Sequence, residues 1–325
     1  MEEKVEEGKP FKTYEQLIEK LTVNKKLIIN DTDYATRLLK EHSYYALISG
    51  YKYPFKASTG EYKKNTEIED IYALYVFDDQ VRSIILKNIL MVEKHVKSLI
   101  AYAFCLEYGD RQERYLEKTN YNYNGDTEKE ADRLIEKLRE IVNNPKDYGY
   151  IEYQQKTYHN IPLWVMMKAL TLGSVSKMYS LLYQKVQANV SREFEYVKER
   201  ELVGMLDLLS RFRNVCAHNE RLFDYKYQKG NIPDTYIHRH MGVLVKKSAY
   251  ASGKSDLFAV LICLKYLLNT ESFNNMIDEI DSCINELFKK THQIQMEQML
   301  KYTGFTSNWR ELKECPFTVR LNRQI

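Results

Sequence analysis

The sequence predicts an all-α protein, and three observations carry that expectation. Residues Glu67 to Tyr108 place Ile71, Leu74, Tyr75, Phe77, Val81, Ile84, Ile85, Leu86, Ile89, Val92, Val96 and Leu99 at helical spacing. Asp31-Thr32-Asp33 opens a second periodic stretch in the manner of a helix cap. Near residue 210, Leu208, Leu209, Phe212, Val215 and Cys216 gather on one arc of a helix whose other side is polar.

The elements follow in order. Phe11 to Val23 and Asp31 to Glu41 form an N-terminal helical pair, and Lys56 to Asn65, with Ser58-Thr59-Gly60, reads as a linker. After the long helix, Thr119 to Glu130 is polar and interrupts the core before a helix over Ala131 to Ile141. Asn143 to Ile161, with Pro145 and Gly149, is expected to be irregular. A helix then starts at Leu163 and dips at Gly173-Ser174, and another begins near Glu199. Asp224 to Asp256 reads as a mobile basic segment, with His238-Arg239-His240 in a solvated loop. Leu257 to Leu268 and Phe273 to Tyr302 are helical, and the tail from Gly304 is expected to drape on the body. The domain expectation is therefore an N-terminal helical module and linker over 1–65, a helical domain over 66–303 and a tail over 304–325.

Composition bounds the function. The 325 residues are 44% hydrophobic and 29% charged, enough for a real core and unlike a disordered chain. The acidic start, Met1 to Glu7, does not read as a secretory signal, and the longest apolar runs fall far short of a membrane span. Five scattered cysteines read as reduced thiols, so a cytoplasmic protein is expected. No metal-ligand set, Gly-rich phosphate loop, internal repeat or Ser-His-Asp order stands out, and no cofactor is expected. The net charge of +3 announces no nucleic-acid binder by itself, so local charge matters more. Twenty-seven tyrosines are many, and several alternate with lysine. Tyr225, Lys226, Tyr227 and Lys229 offer stacking faces and phosphate contacts for RNA, although tyrosine is also ordinary packing material.

The chemistry concentrates in Arg211 to Arg221. At about 100° per residue, with Asn214 at 0°, His218 falls near 40°, Arg211 near 60°, Arg221 near −20° and Arg213 on the shoulder near −100°. Such a face binds anions around a group that titrates near neutrality, which suits cleavage at a phosphodiester. His218 could move a proton, Arg213 could hold phosphate oxygens, and Asn214 could position either. In RNA the 2′-hydroxyl is a built-in nucleophile, so no metal is required. The spacing alone is weakly specific, since Arg37 and His42 share it, and by spacing alone a structural role for Arg213 and His218, a cap or a buried hydrogen bond, is the favoured explanation. The Asn after the Arg, the Cys-Ala before the His and the cationic stripe shift the balance towards a site.

Arg213-Asn214-Val215-Cys216-Ala217-His218, followed by Asn219-Glu220-Arg221-Leu222, resembles the signature of HEPN-superfamily ribonucleases. More narrowly, the chain resembles the Abi-like (abortive infection, AbiD/AbiF-type) proteins. Lys9 to Leu17, Ser43 to Phe55, Ile71 to Asp78 with Val92 to His95, Pro162-Leu163-Trp164 and Leu172 to Ser176 resemble further blocks of that family, in order. The resemblance implies a HEPN-type helical bundle and an endoribonuclease toxin of anti-phage defence. Arg213, Asn214 and His218 would be its catalytic residues, with Arg211 and Arg221 in support. It also places the long helix against the site helix, so that Glu93 either orients His218 or Arg213 or merely pairs with Lys97. HEPN sites generally need two facing motifs, which implies a homodimer; Arg37 to His42 lacks the Asn and reads as coincidence. Relatives silenced by a partner nucleotidyltransferase carry Tyr two residues after the His, where this chain has Glu220, so that control is not expected. A small structured RNA antitoxin is, with a protein inhibitor next; neither membrane nor DNA is an expected partner. The competing readings are a non-catalytic RNA-binding or sensing module and a purely structural dimerisation domain.

Overall fold

A computed structural model describes residues 10–317, so Lys9, the acidic start and the last eight residues lie outside the described part. The fold is all-α; one two-stranded hairpin is the only sheet among the described residues. The chain divides into two compact units, one made of 1–80 and 281–299, the other of 81–280 and 300–325.

In the first unit, α1 (Tyr14–Glu19) starts at a reciprocal cap: Gln16 N–H donates to Thr13 Oγ1 at 3.3 Å, and Thr13 N–H donates to Gln16 Oε1 at 3.0 Å. The helix then widens into a π turn over Lys20–Asn24. As the Asp-Thr-Asp signal predicts, α2 (Thr32–His42) is capped by Asp31, whose carboxylate accepts from Tyr34 N–H at 2.9 Å. It buries Ala35, Leu38 and Leu39 and stops at Ser43, whose φ is 61°. The 56–65 segment is folded rather than free. Lys56 bridges to Tyr62, and the Tyr62 ring is buried beneath the Lys56 ammonium.

The 41-residue α3 (Ile68–Tyr108), about 60 Å long at 1.5 Å per residue, starts in this unit. Its expected stripe is the one that packs: Leu74, Phe77, Val81, Ile85, Ile89, Val92 and Val96 are all buried.

The second unit adds α4 (Gln112–Leu116) and α5 (Glu128–Asn143), whose Ala131, Leu134, Ile135, Leu138 and Ile141 form one buried face. Three expectations need correction here. The stretch expected to be irregular contains α6 (Gly149–Tyr158), which buries little beyond Ile151 and so leaves almost no apolar signature. The helix from Leu163 is short, α7 (Leu163–Met166). Gly173-Ser174 is no dip but the first turn of α8 (Leu172–Leu181), opened by the Thr171 hydroxyl accepting from Ser174 N–H at 3.3 Å. α9 (Gln184–Ser191) follows and leads to α10 (Glu199–Ala217), which packs on α8 and begins where the sequence placed it.

The segment expected to be mobile and solvated is anchored. It forms α11 (Tyr236–His240) and the hairpin β1 (Val245–Lys246) and β2 (Ala249–Tyr250), and Ile232, Ile237 and His238 are buried. His238 Nδ1 accepts from Thr235 N–H at 3.0 Å, which leaves Nε2–H to donate to the Gly253 carbonyl at 2.7 Å. Burial holds its pKa below the ordinary histidine value.

α12 (Leu257–Leu267) is buried on nearly every side, as a helix apolar all round must be. Asp256 caps it, accepting from Ala259 N–H at 3.1 Å. Gly304 lies against that carboxylate at φ 78°, where a Cβ would collide with it. The expected Phe273–Tyr302 helix is instead α13 (Thr270–Lys290) and α14 (Met296–Thr303). The break falls at Thr291, whose hydroxyl donates to Asp70 at 2.5 Å. The described part of the tail packs as expected, with Trp309 fully buried.

Candidate functional site

The motif occupies the last turn of α10 and its cap. Leu208, Leu209, Phe212, Val215 and Cys216 form the buried arc that the periodicity predicts, and Asn214 and His218 are exposed. The helix ends at Ala217. His218 N–H still donates to the Asn214 carbonyl at 2.9 Å, and Asn219 then turns left-handed at φ 55°. Glu220 N–H reaches back to the Val215 carbonyl at 3.0 Å and Asn219 N–H to Cys216 at 3.3 Å. This is a Schellman terminus with asparagine in the place glycine commonly takes. The buried Arg82 guanidinium also donates to the Glu220 carbonyl, at 3.3 Å.

That ending corrects one geometric expectation. Arg221 lies beyond the helix and cannot share its face; its Nε donates to Asp224 at 2.7 Å and its guanidinium lies 5.8 Å from the Phe223 ring.

The remaining cations divide between two sides of α10. Arg211 and Asn214 line a groove of about 730 Å³ together with Arg133, Lys137, Ser174 and Lys177. Arg211 Nε is 3.9 Å from Asp207, and its guanidinium lies 5.5 Å from the Tyr227 ring. Arg213 turns the other way, towards α3, where its Nε comes within 3.9 Å of Glu93 Oε2.

Glu93 does two of the things considered for it. Its Oε1 accepts from Lys97 Nζ at 2.6 Å, while Oε2 faces Arg213. Both Oε2 and Arg213 Nε are buried without a hydrogen-bond partner, so this contact is an ion pair and not a hydrogen bond. Among the described residues no bond joins Glu93 to His218. A bundle of carbonyls at a helix C-terminus favours cations, so any anion here must be held by side chains rather than by the helix dipole.

The four basic and aromatic residues after the helix behave differently from one another. Lys226 and Lys229 are exposed. The Tyr225 ring meets Phe212 edge-on at 5.0 Å, and burial raises its pKa. Tyr227 is half-buried, and burial, followed by the Asp207 charge, raises its pKa as well. His95 is a partly exposed histidine 3.7 Å from Glu193, with its ring on Phe194. None of the five cysteines forms a disulfide, and among the described residues no three His, Cys, Asp or Glu side chains converge as a metal-holding group.

Sequence reasoning missed Asn219 and Arg82 as parts of this site, whereas Lys97 pairs with Glu93 as one of the readings had it. Asn219 had a signal, being the asparagine that follows the last periodic residue. Arg82 had a weaker one, a cation set beside the apolar stripe of α3.

Fold and site thus define an all-helical protein that presents arginine, asparagine and histidine at one helix terminus. The family described as Abi-like protein matches residues 37–224, more than half of the chain, and the chain belongs to it. Membership points to abortive-infection defence. No curated protein and no solved structure matches the chain. Among the described residues no helix is long and apolar enough to cross a membrane.

Proposed function

We propose that this protein is a metal-independent endoribonuclease toxin of abortive-infection defence, of the AbiD/AbiF type within the HEPN superfamily. The observation that carries the reading is the position of His218. Its ring is exposed at the end of α10, one helical turn after Asn214 and next to the turn that carries Arg213, and no described residue takes up its nitrogens. A histidine placed so can exchange protons with a ligand from solvent.

In this reading His218 takes the proton of an RNA 2′-hydroxyl, and the oxygen attacks the adjacent phosphorus. Arg213 offers its remaining N–H groups to the non-bridging oxygens, and Asn214 positions the phosphate. The departing 5′-oxygen takes a proton from the His218 of a second copy, so the working enzyme is a homodimer. The products are a 2′,3′-cyclic phosphate and a 5′-hydroxyl. Arg211 and Arg221 add positive potential, and Tyr225, Lys226, Tyr227 and Lys229 flank the RNA. A nuclease of this kind needs restraint, and a small structured RNA acting in trans is the antitoxin we favour.

The test is to incubate the wild type and His218→Ala with labelled cellular RNA and tRNA in EDTA. Discrete fragments ending in cyclic phosphate, from the wild type alone, are expected. If neither protein cuts while both bind RNA, the protein is instead a non-catalytic RNA-binding module.

A further inference from the structure

A second cavity, of about 400 Å³, lies on the Arg213 side of α10, wholly within the second unit. One wall is a single face of α3: Leu90, Glu93, Lys94 and Lys97 follow one another at steps of three, one and three residues. The other wall is the segment opened by α7, with Trp164, Met167 and Lys168. Pro162 starts that segment, and Leu163, Met166 and Met167 turn into the core, which leaves the indole of Trp164 53% exposed. Leu90 beside it is 43% exposed. An indole left half in water forgoes much of the burial that usually holds a tryptophan.

The charge of this groove has a definite sign. Lys94 and Lys168 are exposed at its rim. The one carboxylate, Glu93, is buried and spent on Lys97 and Arg213. A flat aromatic face, an apolar floor and exposed ammonium groups at the edges, that of Lys168 resting 4.6 Å from the Tyr150 ring, form the pattern that unpaired nucleotides fit: the base stacks and the phosphates meet the lysines. Glu93 also joins the groove to Arg213, since its buried Oε2 has no hydrogen-bond partner and faces that guanidinium.

We infer that this groove is a nucleotide subsite for single-stranded RNA, in which a base stacks on Trp164 while Lys94 and Lys168 hold the flanking phosphates. The inference rests on the ribonuclease reading for the identity of its ligand. The Glu93 wall delivers the strand beside Arg213, so the stacked nucleotide is a neighbour of the cleaved bond and not the reacting one. Duplex RNA is excluded, because its bases are not free to stack.

Trp164 is one of only two tryptophans, and the other, Trp309, is fully buried, so intrinsic fluorescence reports on this groove directly. The experiment titrates a short unstructured RNA oligonucleotide into the His218→Ala protein, which keeps the ligand intact. Saturable quenching is expected; it should vanish in His218→Ala/Trp164→Phe and be absent with a fully paired duplex. Trp164→Ala should weaken binding at least about 5-fold, the low end of a lost stacking contact. Lys94→Ala/Lys168→Ala should lower the slope of log affinity against log salt by about 1.4, or about 0.7 per phosphate contact. Circular dichroism of each variant controls for folding.

RNA that binds without changing Trp164 emission overturns the subsite, as does wild-type affinity in both the Trp164→Ala and the double-lysine variants. Emission that responds to protein concentration and not to RNA overturns it too, and assigns the groove to a second copy of the chain. The two readings fail separately. A wild type that cuts RNA with Trp164→Ala equally active removes the subsite alone, and quenching by RNA in a wild type that cuts nothing removes the cleavage alone.

Discussion

Arg37 to His42 and Arg213 to His218 share one spacing, and each closes a helix that is followed by a residue at positive φ, Ser43 at 61° and Asn219 at 55°. Their surroundings differ in every other respect. His42 lies against Tyr75 at 4.7 Å and Tyr72 at 5.6 Å, while Arg37 reaches back over the Tyr34 ring at 5.8 Å. His218 is exposed, and Arg213 is steered by a buried carboxylate. Spacing sets which side chains share a turn; the elements packed around that turn decide whether they lie against other rings or stand open to solvent.

The sharpest way to break this comparison is to remove each histidine. His218→Ala should lower RNA cleavage by about 10³-fold, within the range for losing a general acid or base. His42→Ala should leave cleavage intact and instead cost about 1–2 kcal/mol of stability through its lost ring contacts. Cleavage assays and denaturant unfolding on both variants decide the matter. A cleavage loss in His42→Ala with the fold retained would make the first motif part of the site.

The same contrast shows what the sequence could reveal. The stripe of α3, the Asp31 cap and the start of α10 at Glu199 are local signals, and each appears where it was read. What escaped depends on groups far away in sequence. His238 looked solvated beside Arg239 and His240, yet its partner is the Gly253 carbonyl, fifteen residues on. The break between α13 and α14 falls at Thr291, bonded to Asp70 across more than two hundred residues. Arg213 stands on the shoulder where helix geometry puts it, and the carboxylate it meets there is Glu93 on α3, one of the two partners the family resemblance allowed. Periodicity predicts the side of a helix on which a residue stands, and not the charge waiting there.

Glu93→Gln sharpens the comparison next. It keeps the shape of the side chain but leaves Lys97 and Arg213 facing a neutral amide. Arg213 and Lys97 are 29% and 17% exposed, so the cost is less than for a fully buried pair, about 1–3 kcal/mol by chemical denaturation. RNA cleavage should fall about 10-fold through misplacement of Arg213. The corresponding carboxylate beside the first motif, Glu41, is largely exposed and 3.7 Å from His42, and Glu41→Gln should change stability by under about 0.5 kcal/mol. Equal effects from the two substitutions would erase the distinction between them.

The buried His238 gives a third environment for the same side chain, and a pH test. Burial holds its folded pKa below the ordinary histidine value of about 6.5, so the unfolded chain takes up the proton first as pH falls. Its contribution to stability is therefore whole above that value and is lost progressively below it, until the folded pKa is passed. Melting temperatures between pH 7.5 and 5 should fall less steeply for His238→Gln than for the wild type. Parallel curves for His238→Gln and the wild type would show that the His238 ring is not held neutral by burial.

The smallest effects come from the two helix terminators. Ser43 combines φ 61° with ψ 153°, a region that serine enters only under strain of about 1–3 kcal/mol. Its hydroxyl recovers part of that by accepting from Ala46 N–H at 3.2 Å. Ser43→Gly should therefore stabilise the protein by about 1 kcal/mol, the relief exceeding the few tenths lost when glycine replaces a capping serine. Asn219 sits at φ 55°, in the left-handed region asparagine tolerates, so Asn219→Gly should change stability by under about 0.5 kcal/mol and Asn219→Ala should cost about 1 kcal/mol. If Asn219→Gly keeps stability but lowers cleavage, the asparagine amide itself acts on the ligand. If both are unchanged, Asn219 serves only to end the helix and leave His218 at its edge.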